Sequence, residues 1–264
     1  MTEIINGESR LFSILGDPIR YARSPERLTA GFAARGHNGI CIPAEVPEGA
    51  LYEVMRALTL IRNVDGLLIT MPHKFKVPAF CSTVSDRTKL LGAVSVARRN
   101  PDGTWHGDML DGLAFVRAQM DQGAKPQGAR VLLLGAGAAG SAIAIALLDA
   151  GASELIIHDS DESHTQKLLK VISGLGAGRV HSGPPDPQGC ELVCNATSAG
   201  MAMGNALPVR ADLLTATMFV GDVIAGHGLT PLLHAARAAG CRTANGDQMV
   251  EAGWELMLNF MLCG

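Results

Sequence analysis

The chain has 264 residues, 47% of them hydrophobic and 18% charged, with a formal net charge of −3. That length accommodates two domains with real cores, and that balance of residues excludes a disordered chain. So small a net charge gives no field for nucleic acid or an anionic membrane, and neither is expected as a partner.

No stretch reaches the roughly 18 apolar residues of a membrane span. The opening Met-Thr-Glu-Ile-Ile-Asn-Gly-Glu lacks the basic and apolar blocks of a secretory signal, so the cytoplasm is the expected compartment. Six cysteines are scattered along the chain with no second pair at a matching spacing, and no metal site is expected.

Short β-branched runs alternate with alanine-rich stretches, the pattern of βαβ units, a mostly parallel sheet and an α/β fold. Leu11–Leu15 predicts a strand that ends at Gly16. Ser24 as N-cap, followed by Pro25, predicts a helix to Arg35. Ile40–Ala44 reads as a second strand, Leu51–Leu60 as a helix, and Gly66–Thr70 as a third strand closed by Pro72. Lys74 then stands at that strand's carboxyl end. Arg98 and Arg99 read as a solvated edge. The turn-like Gly107–Gly112 delivers Asp111, and a helix over Leu113–Met120 bridges to a linker-like junction at Asp121–Gly128, rich in breakers. Arg130–Leu134, Glu154–His158, Leu192–Cys194 and Met218–Val223 predict strands of a second α/β unit. Leu232–Ala239 is helical, and Val250–Leu262 is apolar at helical spacing and suited to folding back on the first domain.

Directly after Arg130–Leu134 comes Gly135-Ala-Gly137-Ala138-Ala139-Gly140. Its glycines permit a tight turn, close approach of backbone to a pyrophosphate, and close packing of the next helix, Ser141–Ala150. Free N–H groups at that helix start bind the phosphates. Asp159 ends the following strand, where a carboxylate accepts hydrogen bonds from ribose hydroxyls and repels a 2′-phosphate. Ser160-Asp161-Glu162-Ser163 adds acid rather than arginine, so NAD is expected ahead of NADP. The other reading of Asp159 is a cap for the next helix. A lysine and a carboxylate ahead of such a loop suggest an alcohol–ketone dehydrogenase with a Lys74/Asp111 proton shuttle.

The order of motifs resembles the shikimate/quinate dehydrogenase family over nearly the whole chain. Carrying the resemblance are Gly16-Asp-Pro-Ile19 with Arg23-Ser24-Pro25, Thr70-Met-Pro-His-Lys74, Leu91-Gly-Ala-Val94 and Gly107–Gly112. Asn195-Ala-Thr-Ser-Ala-Gly-Met201, Asp222 with Thr230-Pro-Leu-Leu233, and Gly246 with Met249 complete the series. The resemblance implies an N-terminal α/β substrate domain over residues 1–112 and a C-terminal Rossmann domain over 113–246. The last helix, about 247–264, would pack back on the first domain, with a cleft between the two. Lys74 and Asp111 would be the proton-relay pair, and Ser24, Thr70 and Ser95 substrate contacts. Gly135, Gly137, Ala138, Ala139, Gly140, Asp159, Asn195, Thr197, Met201 and Val223 would line the cofactor. The implied setting is quinate/shikimate metabolism and aromatic amino acid biosynthesis, with a monomer or homodimer acting on a small hydroxy acid.

Several positions depart from the family pattern. Ala22 replaces the first serine of the carboxylate loop, and Leu68 and Ser95 stand where asparagines are usual. Met109-Leu110 replaces an asparagine–threonine pair, Ala225 a tyrosine and Gly253 a glutamine. Polar recognition of hydroxyls discriminates by factors of about 10⁴–10⁵, so these losses point to a roomier, more apolar pocket and a changed substrate. Tyr21 and Arg23 stand close enough in sequence to bind a carboxylate. The alternative to an NAD(P)-dependent oxidoreductase is a non-catalytic nucleotide- or metabolite-sensing paralogue, against which the survival of Lys74 and Asp111 weighs. His73 is expected to point away from Lys74, and Trp254, Met257, Leu258 and Met261 to be core.

Overall fold

A computed structural model describes residues 5–20, 22, 24–174, 179–201 and 207–263. The chain forms two compact units, Met1–Leu110 with Trp254–Gly264, and Asp111–Gly253.

The first unit contains β1 (Arg10–Gly16), α1 (Ser24–Ala34), β2 (Gly39–Glu45), α2 (Leu51–Leu60) and β3 (Val64–Ile69), followed by β4 (Cys81–Val84), α3 (Asp86–Leu91), β5 (Val96–Arg99) and β6 (Trp105–Asp108). Its sheet runs β2-β1-β3-β5-β6-β4, parallel from β2 to β3 and antiparallel across β5. Successive side chains alternate faces. Leu15, Leu67 and Ile69 therefore pack with Val46, Leu51, Met55 and Trp105 in one buried cluster. Phe12, one register out, stacks on Phe32 of α1 at a centroid distance of 4.1 Å.

Arg98 and Arg99 do not form the solvated edge expected of them. The Arg99 guanidinium donates to the carbonyl oxygens of Leu58, Thr59, Ile61, Val64 and Gly103, and lies 4.6 Å from the Trp105 ring centroid. It thereby satisfies carbonyls that the end of α2 leaves without helical partners. Arg98 lies over the Phe260 ring at 5.5 Å.

The second unit contains α4 (Asp111–Asp121), β7 (Arg130–Leu134), α5 (Ala138–Asp149), β8 (Glu154–His158), α6 (Glu162–Ile172) and β9 (Arg179–Ser182). After these come β10 (Leu192–Asn195), β11 (Phe219–Asp222), α7 (Pro231–Ala238), β12 (Arg242–Ala244) and the start of α8 (Gly246–Leu262), which belongs to the first unit from Trp254 on. The sheet order β12-β11-β10-β7-β8-β9 is parallel throughout, the doubly wound arrangement whose direction reverses between β7 and β10. Val131 and Leu133 enter the core on one face of β7, and Leu132 and Leu134 the core on the other. That two-sided burial is why the strand reads as an unbroken apolar run.

Helix α4 begins at Asp111, so this residue opens a helix rather than sitting inside a turn. The division between units falls between Leu110 and Asp111. Asp121–Gly128 lies within the second unit, where Gly123 and Gly128, at φ +91° and +76°, turn the chain from α4 into β7. The chain returns to the first unit at Trp254. There Glu255 and Asn259 accept hydrogen bonds from Arg35, and Trp254, Leu258 and Met261 are buried. Met257 is only half-buried.

Candidate active site

In the first unit, β2 lies on one side of β1 and β3 on the other, so the carboxyl ends of β1 and β3 flank a point where chain direction switches. Such points are where open α/β sheets bind ligands. Gly16 ends β1, and a methyl there would collide with Cγ2 of Thr70, which follows β3. The Thr70 N–H donates to Leu15 O at 2.9 Å, and the His73 N–H to Thr70 O at 3.0 Å. Lys74 O accepts from the Val94 N–H at 2.9 Å. These bonds make Thr70–Lys74 a compact turn.

His73 corrects the extended-chain reading. Its side chain is wholly buried, with Nε2 2.7 Å from Val46 O, and it anchors the turn from beneath. Met71 and Phe75 are exposed, while Lys74 and Thr70 are half-buried. Ser24, the first residue of α1, is also half-buried. Tyr21 and Arg23 lie outside the described residues.

Ser95 is a brace rather than an open contact. It is buried, its Oγ accepts from the Leu110 N–H at 2.9 Å, and its backbone joins β3 to β6 through Ile69 and Asp108. Next to it, the buried Asp108 carboxylate accepts from Arg87 at 3.0 and 2.7 Å, from the Met109 N–H at 2.7 Å, and from Ser85 Oγ. The chain leading into Asp111 is thus tied down at successive backbone N–H groups. Sequence reading missed Asp108, Arg87 and Ser85; the one visible signal was a charged residue directly before the apolar Met109-Leu110. Leu68, Met109 and Leu110 are packed away from solvent, so these side chains fill space and do not widen a pocket.

Asp111 is buried at the first turn of α4, where a helix N-terminus favours negative charge. A methyl on Gly112 would strike the Ala142 carbonyl, so glycine lets α4 press on α5.

The glycine loop occupies the switch point of the second sheet, because β7 and β10 are neighbours. Gly135 adopts φ +93° with the Ala196 backbone alongside, and a methyl on Gly140 would collide with the Gly135 carbonyl oxygen. Gly137 differs. It is exposed at the N-cap of α5, and among the described residues no atom beyond its own chain neighbours lies within 4 Å of where its Cβ would stand. Among the described residues no side chain caps α5, and Ala138 and Ala139 are half-exposed beside it. An open cradle before uncapped N–H groups fits a pyrophosphate.

Asp159 accepts from the Ala136 N–H at 2.7 Å and the Asp161 N–H at 2.9 Å, so it shapes the glycine loop as well as its own turn. Asn195 is fully buried. It donates to Asp222 at 3.0 Å and accepts from the Thr197 N–H and hydroxyl at 3.0 and 2.7 Å. With no exposed surface, its side chain holds the Thr197 loop to Asp222. Thr197 and Val223 are half-buried and Met201 is exposed.

Buried Asp222 also accepts from the Thr230 hydroxyl at 2.6 Å and the Ile224 N–H at 3.1 Å, joining the ends of β10 and β11 to the cap of α7. Burial pushes its carboxyl above the usual range, and the three hydrogen bonds offset part of that shift. Asp222→Ala strands three donors and should cost about 2–4 kcal/mol in urea unfolding, whereas Asp222→Asn should cost less. A carboxyl raised on folding stabilises most when protonated, and the benefit is lost as pH rises through its folded value. The deficit of Asp222→Asn should therefore shrink from pH 4 to pH 7.

Among the described residues, no group of three or more His, Cys, Asp or Glu could hold a metal ion, and no helix is long and apolar enough to cross a membrane.

Residues 14–96 match the family model of the shikimate dehydrogenase substrate binding domain. Over 252 residues the chain is 34% identical to shikimate dehydrogenase (NADP(+)) of Rubrobacter xylanophilus, covering 93% of this chain and 88% of the relative. The chain belongs to the shikimate dehydrogenase family. Members of this family are NAD(P)-dependent oxidoreductases acting on a CH–OH group, and this chain is one of them. Shikimate 5-dehydrogenase of Listeria monocytogenes, solved with shikimate and NAD, superposes with a TM-score of 0.90 at 25% identity, covering 100% of this chain and 95% of that one. The ligand-free 5-ketofructose reductase of a Gluconobacter strain gives 0.86 at 27%, covering 98% and 95%. The shikimate dehydrogenase architecture thus also carries an enzyme named for a keto sugar, so fold leaves the substrate open.

Proposed function

We propose that this chain transfers a hydride reversibly between a nicotinamide dinucleotide and the hydroxyl or ketone carbon of a compact, shikimate- or quinate-like hydroxy acid. The observation that carries the nucleotide half is the open cradle at Gly137, set at a sheet switch point. Gly135, Gly137, Gly140 and the first N–H groups of α5 hold the pyrophosphate, and Asp159 the adenosine ribose. Thr197, Met201 and Val223 border the far end of the dinucleotide. Bound there, the nicotinamide supplies the hydride acceptor or donor.

Lys74 takes the hydroxyl proton as the alcohol is oxidised and returns it on reduction, with Asp111 as the second member of the relay. Ser24 and Thr70 hydroxyls bind the substrate's polar groups. Ser95 acts through the chain that it braces. A sensing role has no support in the site, because a sensor needs neither Lys74 nor Asp111.

Initial rates of NAD⁺ and NADP⁺ reduction with shikimate, quinate and related hydroxy acids, beside reduction of 5-ketofructose, test this reading. Turnover of a cyclic hydroxy acid supports it. Turnover of the keto sugar alone, or none with nucleotide bound, overturns it.

The curated relatives are named for NADP(+), so a preference for NAD rests on this chain's own residues. Asp159, Asp161 and Glu162 crowd the corner after β8, and a 2′-phosphate there meets like charge. At pH 8 we expect kcat/KM for NAD⁺ to exceed that for NADP⁺ by about tenfold, a difference of about 1.4 kcal/mol. Equal values would remove Asp159 as a selector.

A further inference from the structure

Helix α6 starts at the same corner. Asp161 caps it by accepting the Ser163 N–H at 2.9 Å, while Asp159 is held by the N–H groups of Ala136 and Asp161. Backbone donors therefore fix both carboxylates. His164, in the first turn of α6, reaches each of them. Its Nδ1 is 3.6 Å from Asp159 Oδ1, and its Nε2 is 3.7 Å from Asp161 Oδ2, with 47% of the side chain exposed. We propose that His164 is a specificity-determining residue that selects between NAD and NADP by its own protonation.

This inference rests on reading the second unit as a nicotinamide dinucleotide site. A carboxylate ending the second strand of a doubly wound sheet stands where the adenosine ribose binds. Imidazole is the side chain whose charge ordinarily changes between pH 5 and 8. With His164 neutral, the two carboxylates accept a 2′-hydroxyl and repel a 2′-phosphate. With His164 protonated, the imidazolium offsets them, and its N–H groups become donors to phosphate oxygens.

Further charged residues lie on the same helix. Glu162 engages Gln166 at 3.5 Å, and Lys167, farther along α6, adds a weaker positive field at Asp161. The glycine loop presents uncharged Ala136 and Gly137. The corner thus sets one imidazole against a fixed acidic pair.

The 2′-phosphate has its own second ionisation, near pH 6 for phosphate monoesters, and this also eases repulsion in acid. The test must separate the two. Isothermal titration calorimetry of NAD⁺ and NADP⁺ on the full chain, at pH 5.5, 6.5 and 8.0, gives the ratio Kd(NADP⁺)/Kd(NAD⁺). In the native chain the ratio should fall by about fivefold from pH 8.0 to 5.5, the upper worth of one exposed charge pair. His164→Gln keeps the phosphate's titration and loses the imidazole's, so most of the fall should vanish. His164→Lys should hold the ratio low at every pH. An equal pH dependence in the native and His164→Gln chains overturns the role of His164 and leaves the dinucleotide site standing. Failure of the native chain to bind either nucleotide overturns that site and this inference together.

Discussion

Lys74→Ala should lower kcat for hydroxy-acid oxidation by about 10²–10⁴-fold, the range lost with a positioned acid or base. The turn that carries Lys74 is held by backbone bonds from Leu15, Thr70 and Val94 and by the buried His73 ring, none of which uses the lysine side chain. The substitution leaves these backbone bonds in place, so nucleotide affinity should stay near its native value. Lys74→Arg separates charge from proton transfer. Its guanidinium keeps the positive charge but does not deprotonate in proteins, so it cannot accept the hydroxyl proton. Comparable loss in both variants, measured on the best substrate of the panel, assigns Lys74 to proton transfer. Near-native kcat in the alanine variant would remove it from catalysis, and recovery in the arginine variant would reduce its role to electrostatics.

Two single-methyl changes in the glycine loop should behave oppositely in stability and alike in binding. In Gly140→Ala the new methyl meets the Gly135 carbonyl oxygen, and α5 must retreat from the loop. Overpacking of this kind costs about 1–3 kcal/mol, and displacement of the N–H cradle should raise the Kd for dinucleotide by about 10–100-fold. Gly137→Ala adds its methyl where, among the described residues, no atom beyond its chain neighbours stands within 4 Å, so stability should hold. The methyl instead enters the space needed for backbone to approach a pyrophosphate, and affinity should still fall. Thermal unfolding beside calorimetric titration checks both. Unchanged affinity in Gly137→Ala would mean that the cradle is not where the pyrophosphate sits.

The two glycines illustrate how much was legible in advance. Their spacing after an apolar strand already called for a loop that turns sharply and packs tightly, and the strand, loop and helix form with almost the expected bounds. Leu51–Leu60 likewise forms as read, because its apolar positions recur at helical spacing. Strands β4, β5, β6, β9 and β12, of three or four residues each, were missed. Segments that short are too brief to show a period, and pairing with distant neighbours is what makes them strands. Helix α6 was expected only as the next helix after Asp159, without bounds, although its buried residues Thr165, Leu168 and Ile172 follow helical spacing.

What the sequence determined alone is local: the βαβ alternation, the glycines that tolerate special backbone, and the chemistry available at Lys74, Asp111 and Asp159. These follow from side-chain size, charge and the spacing of neighbours along the chain. Tertiary structure decided which polar residues face outward and which serve as internal braces. Ser95 meets Leu110, Asp108 meets Arg87, Asn195 meets Asp222, and Arg99 meets the end of α2, all between segments far apart in sequence. A polar side chain's role depends on whether folding brings it a partner, because a buried donor or acceptor must be satisfied and an exposed one is not so constrained. Such partners come from the crossing of strands and helices, which no local pattern of residues records.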